Sequence, residues 1–294
     1  MQTRYRAAAT ALLLTATAGL AATGGAAQAS GTHHTSDRAA KSLTVTITSS
    51  GKGVKLSDSR IRPGNTTFKV VRGKHGGGLL QVLRLRKGYS LTDAFGDFAA
   101  AFPNSGPPDV AAVRRIDKNV VFYGGMEAVK GSTSKWAVNI DHRGRYLVAN
   151  LDKNTLTTLK VKGKHQRRSM PSADGKLNVA PGNVWKPGKH NAHKGWMNTT
   201  NRAAEPHFVD MEHVKKGTTL QDVQDYFMSN PQGPPPFAAK DGASADTGVI
   251  SPGHTFRWKF SVPKGRYFSA CFWPSKVDGT PHAFMGMLDV FNLH

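Results

Sequence analysis

The sequence predicts an all-β chain of two tandem Greek-key β-sandwiches, each with one short helix. Three observations predict it: short β-prone runs punctuated by Gly and Pro from residue 43 onward, a set of motifs that occurs twice, and only two helical segments, which match each other. With 38% hydrophobic, 9% aromatic and 20% charged residues among 294, there is enough apolar material for a core, which excludes a low-complexity or fibrous protein.

The elements follow in order. Arg4 and Arg6 precede an apolar run from Ala7 to Ala22, and Ala27-Gln28-Ala29 supplies the small residues of a signal-peptidase site, so residues 1–29 are expected to be a signal peptide. The run is shorter than the roughly 20 apolar residues of a membrane span, and Gly24-Gly25 follows it at once. No later stretch approaches that length, and the leader holds no cysteine for a lipid, so the expected fate is secretion, free or in loose association with a cell wall. Residues 30–42, small and polar with His33 and His34, read as a disordered tail. Strands are expected at Leu43 to Thr48, Thr66 to Arg72, Leu79 to Leu85, Asn119 to Phe122, Ser134 to Ile140 and Tyr146 to Leu151.

The duplication lies in the motifs. Lys87-Gly88-Tyr89-Ser90-Leu91-Thr92-Asp93 matches Lys216-Gly217-Thr218-Thr219-Leu220-Gln221-Asp222. Ser90 and Thr219 each precede an Asp by three residues, a capping box opening a short amphipathic helix. Gly131 to Trp136 pairs with Gly253 to Trp258, and Gly144-Arg145-Tyr146 with Gly265-Arg266-Tyr267. The offsets of 129, 122 and 121 are nearly constant, which predicts domain 1 over 43–162, a polar and basic linker over 163–176, and domain 2 over 177–294.

The net charge is +21; the leader accounts for two arginines and no acid, so the remainder carries +19. Such a charge favours anionic polymers and surfaces. The basic residues are scattered along the chain, with a local cluster from Lys160 to Arg168, and no recognition helix, zinc finger or aromatic-basic RNA motif accompanies them. A solvated basic surface suited to an anionic cell envelope is expected, and no specific nucleic-acid partner.

Cysteine usage is more specific. Cys271 is alone and cannot form an intrachain bridge, so it is an inert core thiol, a metal-bound thiolate or a reactive group. The duplication serves as an internal control on this choice. Opposite Cys271 the first copy has Asn150, and opposite His207 it has Gly78. The second copy also interposes Phe272 to Met287, with Pro281-His282 and Gly286-Met287, before its last strand. A thiolate, two imidazoles and a thioether suit copper, with His207, Cys271 and His282 in a plane and Met287 on its axis, Met285 being the rival thioether.

At these residues the sequence resembles the cupredoxin superfamily. Gly265 to Cys271 matches the G-x-Y-x-x-x-C strand of plastocyanin-like domains, Pro281-His282 and Gly286-Met287 match their P-H and G-M elements, and Asn198 to His207 resembles the stretch ending in the first ligand. The resemblance implies cupredoxin-like folds for both domains, one copper ion in domain 2 and none in domain 1. It departs in one respect: ten residues, Phe272 to Pro281, separate Cys271 from His282 where the family places a few, and Asp278-Gly279 is a turn that would fold them back. A blue centre and a colourless Cu(I) site both remain open.

No G-x-S-x-G elbow, H-E-x-x-H helix, P-loop or set of His-x-His elements is present, so no enzyme is expected. The sequence reading is an exported copper-binding protein for electron transfer or extracytoplasmic copper handling, working with a redox or copper-exchange protein. The alternative is a metal-free extracellular module that adheres to anionic wall polymer or a protein partner.

Overall fold

The computed structural model describes residues 40–229 and 233–294, so the expected signal peptide and most of the expected tail lie outside the described residues. In the first repeat the strands are β1 (Ala40–Lys41), β2 (Leu43–Ser50), β3 (Gly53–Leu56), β4 (Arg60–Ile61), β5 (Gly64–Arg72) and β6 (Leu79–Leu85). Helices α1 (Leu91–Ala101) and α2 (Val110–Asn119) come next, then β7 (Val120–Glu127), β8 (Thr133–Ile140), β9 (Gly144–Asn150) and β10 (Thr155–Val161). The two-residue β11 (Arg168–Ser169) falls in the expected linker and pairs with β1, within the expected tail. The second repeat holds β12 (Gly175–Ala180), β13 (Val184–Pro187), β14 (Lys194–Thr200), β15 (Asp210–Val214), α3 (Leu220–Met228), β16 (Ser244–Asp246), β17 (Thr255–Ser261), β18 (Gly265–Ala270) and β19 (Leu288–Leu293).

The two halves share one strand plan, apart from β1, β4 and β11, which have no counterpart among the described residues of the second half. One outer sheet runs β4-β10-β9-β6-β7 and the other β19-β18-β15-β16. Both capping boxes close as the sequence predicts, Ser90 with Asp93 and Thr219 with Asp222. Tyr146 donates its hydroxyl hydrogen to the His142 carbonyl at 3.0 Å, and Tyr267 does the same to Pro263 at 2.8 Å. Each pins the corner that feeds a central strand, as tyrosine corners do in other sandwiches.

The inner sheets fuse. Strands β13-β12-β14-β17-β8-β5-β2-β3 form a single eight-stranded sheet, joined where β17 pairs antiparallel with its own counterpart β8. Trp136 stands directly opposite Trp258 at that junction, and both are fully buried. One apolar core accordingly runs through both repeats, with a smaller cluster under α3.

One expectation on the fold needs correction. The first repeat carries two helices instead of one. Asp109 caps α2 by accepting from the N–H groups of Ala111 and Ala112, and the helix buries Ala112, Val113 and Ile116. The second repeat has no helix matching α2 among the described residues. No described helix is long and apolar enough to cross a membrane.

Candidate metal centre

Three of the four expected ligands converge at one end of the second sandwich. His207 lies between β14 and β15, held by reciprocal backbone hydrogen bonds with Ile250 of 3.1 and 2.8 Å. Cys271 follows the last residue of β18. His282 opens a 3-10 turn that ends at Gly286, whose φ of 90° is the left-handed conformation glycine adopts freely. One donor atom from each of the three side chains lies within 4.8 Å of those of the other two, and all three side chains are buried.

The ten intervening residues do not push His282 away, because they form a closed side hairpin. Ser275 donates its N–H to Thr280 O at 2.9 Å, Gly279 to Ser275 O at 2.8 Å, and the Asp278 carboxylate accepts from Thr280 N. At its base, His282 N–H donates to Trp273 O at 3.0 Å and Ala283 N–H to Cys271 O at 2.7 Å. The chain therefore leaves Cys271, turns back at Asp278-Gly279, and returns beside its starting point.

The hairpin rests on the first repeat. Arg114 on α2 donates to Lys276 O at 2.7 Å, and Trp273 donates its indole N–H to Asp117 Oδ1 at 3.3 Å. Trp273 also packs edge-on against Phe102 and Phe122. The helix absent from the sequence reading is the one that braces the ligand loop.

The two imidazoles are fixed by their outer nitrogens. His282 Nε2 lies 3.3 Å from Glu205 Oε2, and His207 Nε2 lies 3.2 Å from Asn183 Oδ1. Both outer partners are acceptors, which places the ring proton on Nε2 and turns a lone pair at Nδ1 inward. The two Nδ1 atoms are 3.2 Å apart, and His282 Nδ1 is 3.9 Å from Cys271 Sγ. Two such lone pairs at that distance repel unless a proton or a cation lies between them.

The charges agree. Burial and the neighbouring His282 hold His207 down to about 3, so it stays neutral at any physiological pH. Burial pushes the Cys271 thiol up to about 12, although the Phe208 and Trp273 backbone N–H groups reach the sulfur and ease the shift. A thiol so protected is a poor nucleophile, and only a cation beside it would make it a thiolate. Burial would raise Glu205, yet the His282 hydrogen bond and the Lys276 N–H, at 2.9 Å from Oε2, outweigh it and bring the carboxyl down to about 2.

The thioether rivals separate by burial. Met285 is 53% exposed, whereas Met287 is 1% exposed in the same core cluster as Cys271, with its N–H on the His282 carbonyl at 2.9 Å. His193 places Nδ1 2.8 Å from Val262 O and joins loop to strand.

Strand order in both repeats and the histidine–cysteine–histidine group between the loops at one end agree with the resemblance seen in the sequence. The fold is cupredoxin-like. No protein-family model and no curated protein matches the chain. Among solved structures it is similar to the auracyanin of Roseiflexus castenholzii, with 16% identity over 40% of this chain and 94% of that one and a TM-score of 0.25. Auracyanin A of Chloroflexus aurantiacus, titled a blue copper protein, gives 14% identity over 40% and 99%, with a TM-score of 0.25. A multi-copper oxidase from Pediococcus acidilactici gives 10% over 87% of this chain and 59% of that one, with a TM-score of 0.24.

Glu205 and Asn183 went unnoticed in the sequence. Glu205 had a readable signal, as an acid two residues before the Pro206-bound His207; Asn183 had none.

Proposed function

We propose that His207, Cys271 and His282, with Met287 as the fourth donor, hold one copper ion, and that the protein carries electrons or copper outside the cytoplasm without turning over a substrate of its own. The observation that carries the reading is the pair of inward Nδ1 lone pairs 3.2 Å apart beside a buried thiol. Imidazole and thiolate together are a donor set that favours copper over hard cations. Bound copper supplies one-electron redox chemistry; the protein supplies everything else. Glu205 and Asn183 hold the tautomers, and the side hairpin keeps water from the ligands. The Phe208 and Trp273 N–H groups stabilise charge on the sulfur. Rigid, buried donors of this kind limit movement between oxidation states. Export remains part of the proposal on the strength of the leader alone.

The test is direct. Cu(II) added to the purified chain without its leader is expected to be retained at one ion per chain and to give a visible thiolate-to-copper band, both lost in Cys271→Ser. Retention without the band means a Cu(I)-type or histidine–methionine site. Equal retention by wild type and Cys271→Ser overturns the thiolate assignment.

A further inference from the structure

The sequence scatters its basic residues, but the first outer sheet collects six of them. In β10, Lys160 pairs with Arg60 of β4 on one side and with Arg145 of β9 on the other. One step further along, Val161 pairs with Ile61 and with Gly144, so that the next residues outward, Lys162, Arg62 and Arg143, again stand side by side. Lys162 N–H donates to Ile61 O at 2.9 Å, which holds that second row together. Ile61 and Val161, between the rows, point into the core, and all six cations are exposed.

Strand geometry sets the spacing. Neighbouring strands lie about 4.8 Å apart and alternate residues along a strand about 6.6 Å apart, so the six charges form a grid of two rows by three columns roughly 10 Å wide. Arg143, Arg145, Lys160 and Lys162 line a shallow depression of about 400 Å³ there. None of the ion pairs among the described residues involves any of the six. Arg168 close by is held below the usual arginine value by burial and by the charge of Arg62.

Like charges directly opposite one another on a sheet destabilise it. All six lie within about one Debye length, near 10 Å at 0.1 M salt, so the repulsion is shared by the whole grid. The matching outer sheet of the second repeat carries no such grid among the described residues: Arg266, the counterpart of Arg145, faces Asn292 on β19 and donates to it and to Thr218 O. A local cost borne by one outer sheet and not by the other points to a ligand.

We propose that this grid is a docking strip for a linear phosphodiester polymer that carries no bases. The spacing along each strand matches phosphates following one another in an extended chain. Among the described residues the exposed large apolar side chains, Val129, Val184, Leu220, Met228, Val277 and Met285, include no aromatic on which a base would stack, and none belongs to β4, β9 or β10. The same absence leaves no apolar wedge for a membrane. The proposal is independent of the copper reading.

The experiment measures binding of the full chain without its leader to synthetic poly(glycerol phosphate) as salt is varied. Six contacts predict that log K falls against log salt with a slope near −4, at about 0.7 per phosphate. Combining Arg145→Gln, Lys160→Gln and Lys162→Gln is expected to weaken binding tenfold or more at 0.1 M salt and to flatten the slope by about 2. The same three charges removed at exposed Lys216, Lys240 and Lys264 of the second repeat should cost less than twofold. Relieving the repulsion should leave the grid variant at least as heat-stable as wild type, so misfolding does not confuse the result. Equal loss in both triple variants, or no binding by wild type, overturns the proposal. Equal or tighter binding of duplex DNA or of phosphatidylglycerol vesicles overturns the assignment of the polymer.

Discussion

The corner around Asn150 and the corner around Cys271 occupy matching places in the two repeats and solve the same burial problem in opposite ways. Asn150 satisfies itself within the protein: its amide N–H groups donate to Ser49 Oγ at 3.0 Å and Gly77 O at 2.7 Å. Its oxygen accepts from the Asp152 and Lys153 N–H groups at 3.1 Å each. The matching corner in the second repeat turns two nitrogen lone pairs and a sulfur toward one point. The first repeat also has no room for an imidazole. Gly78 has a φ of 90°, and a Cβ there would lie 2.5 Å from Asn150 Oδ1 and 2.9 Å from Asp152 Oδ2. A common backbone does not make a metal site. The donors must be left short of partners, and the loop that brings the last of them must be supported.

Transplanting the ligands is expected to have the greatest effect. Gly78→His combined with Asn150→Cys is expected to bring no metal binding to the first repeat and to cost more than about 3 kcal/mol, from the displaced hydrogen bonds and the strained backbone. Denaturant unfolding with metal analysis checks this, and a stable variant holding a second copper ion would refute the account of Gly78.

A smaller effect is expected at Glu205. Glu205→Gln keeps an acceptor near His282 Nε2 but removes the negative charge, so copper affinity should fall about 10- to 100-fold. The midpoint potential should rise, because the more positive oxidised centre loses a stabilising anion. Voltammetry and competitive chelation measure both, and an unchanged potential would mean that the carboxylate only fills space.

The smallest effect is a pH dependence carried by Asp117, the α2 residue under Trp273. Burial and the charge of Glu205 raise this acid from its ordinary value of 3.8 to about 7. Its folded value lies above its unfolded one, so the unfolded chain gives up the proton first. Stability is thus lost as pH rises from about 4 to 7 and is not recovered above. Glu205, shifted the other way, contributes stability above its ordinary value of 4.5 that disappears as pH falls toward 2. Asp117→Asn should match wild type near pH 4 and be about 1–3 kcal/mol more stable near pH 8, as followed by chemical unfolding of the metal-free protein at each pH. A parallel pH profile for the two would remove Asp117 from the bracing of the hairpin.

What was legible in the sequence is what repeats locally. Alternating apolar residues, Gly-x-Tyr corners and Ser or Thr three residues before Asp act over a few positions, and β2, β5, β6, β8 and β9 lie where those patterns put them. His207, Cys271 and His282 stood out because the twin repeat has Gly78 and Asn150 opposite two of them and no loop for the third, a signal that needs no knowledge of packing. Helix α2 escaped notice because it follows Pro103 to Asp109, which reads as loop, and because Arg114, Arg115, Asp117 and Lys118 dilute its apolar face. The fusion of the inner sheets escaped for another reason. Trp136 and Trp258 reveal that they are equivalent, but equivalence says nothing about whether the two meet.

That meeting has a consequence for how such a chain arises. A lone repeat would end its inner sheet at the strand corresponding to β8, with a row of unpaired backbone groups and a bare tryptophan at the edge. The readiest cure is a second copy laid antiparallel on the same strand, an isologous contact whose rotation axis passes between identical tryptophans. The junction of β8 with β17 has that geometry inside one polypeptide. Seen so, the junction has the geometry of a tethered dimer, and its two halves are unequal, one holding the ligands and the other the helix that steadies them.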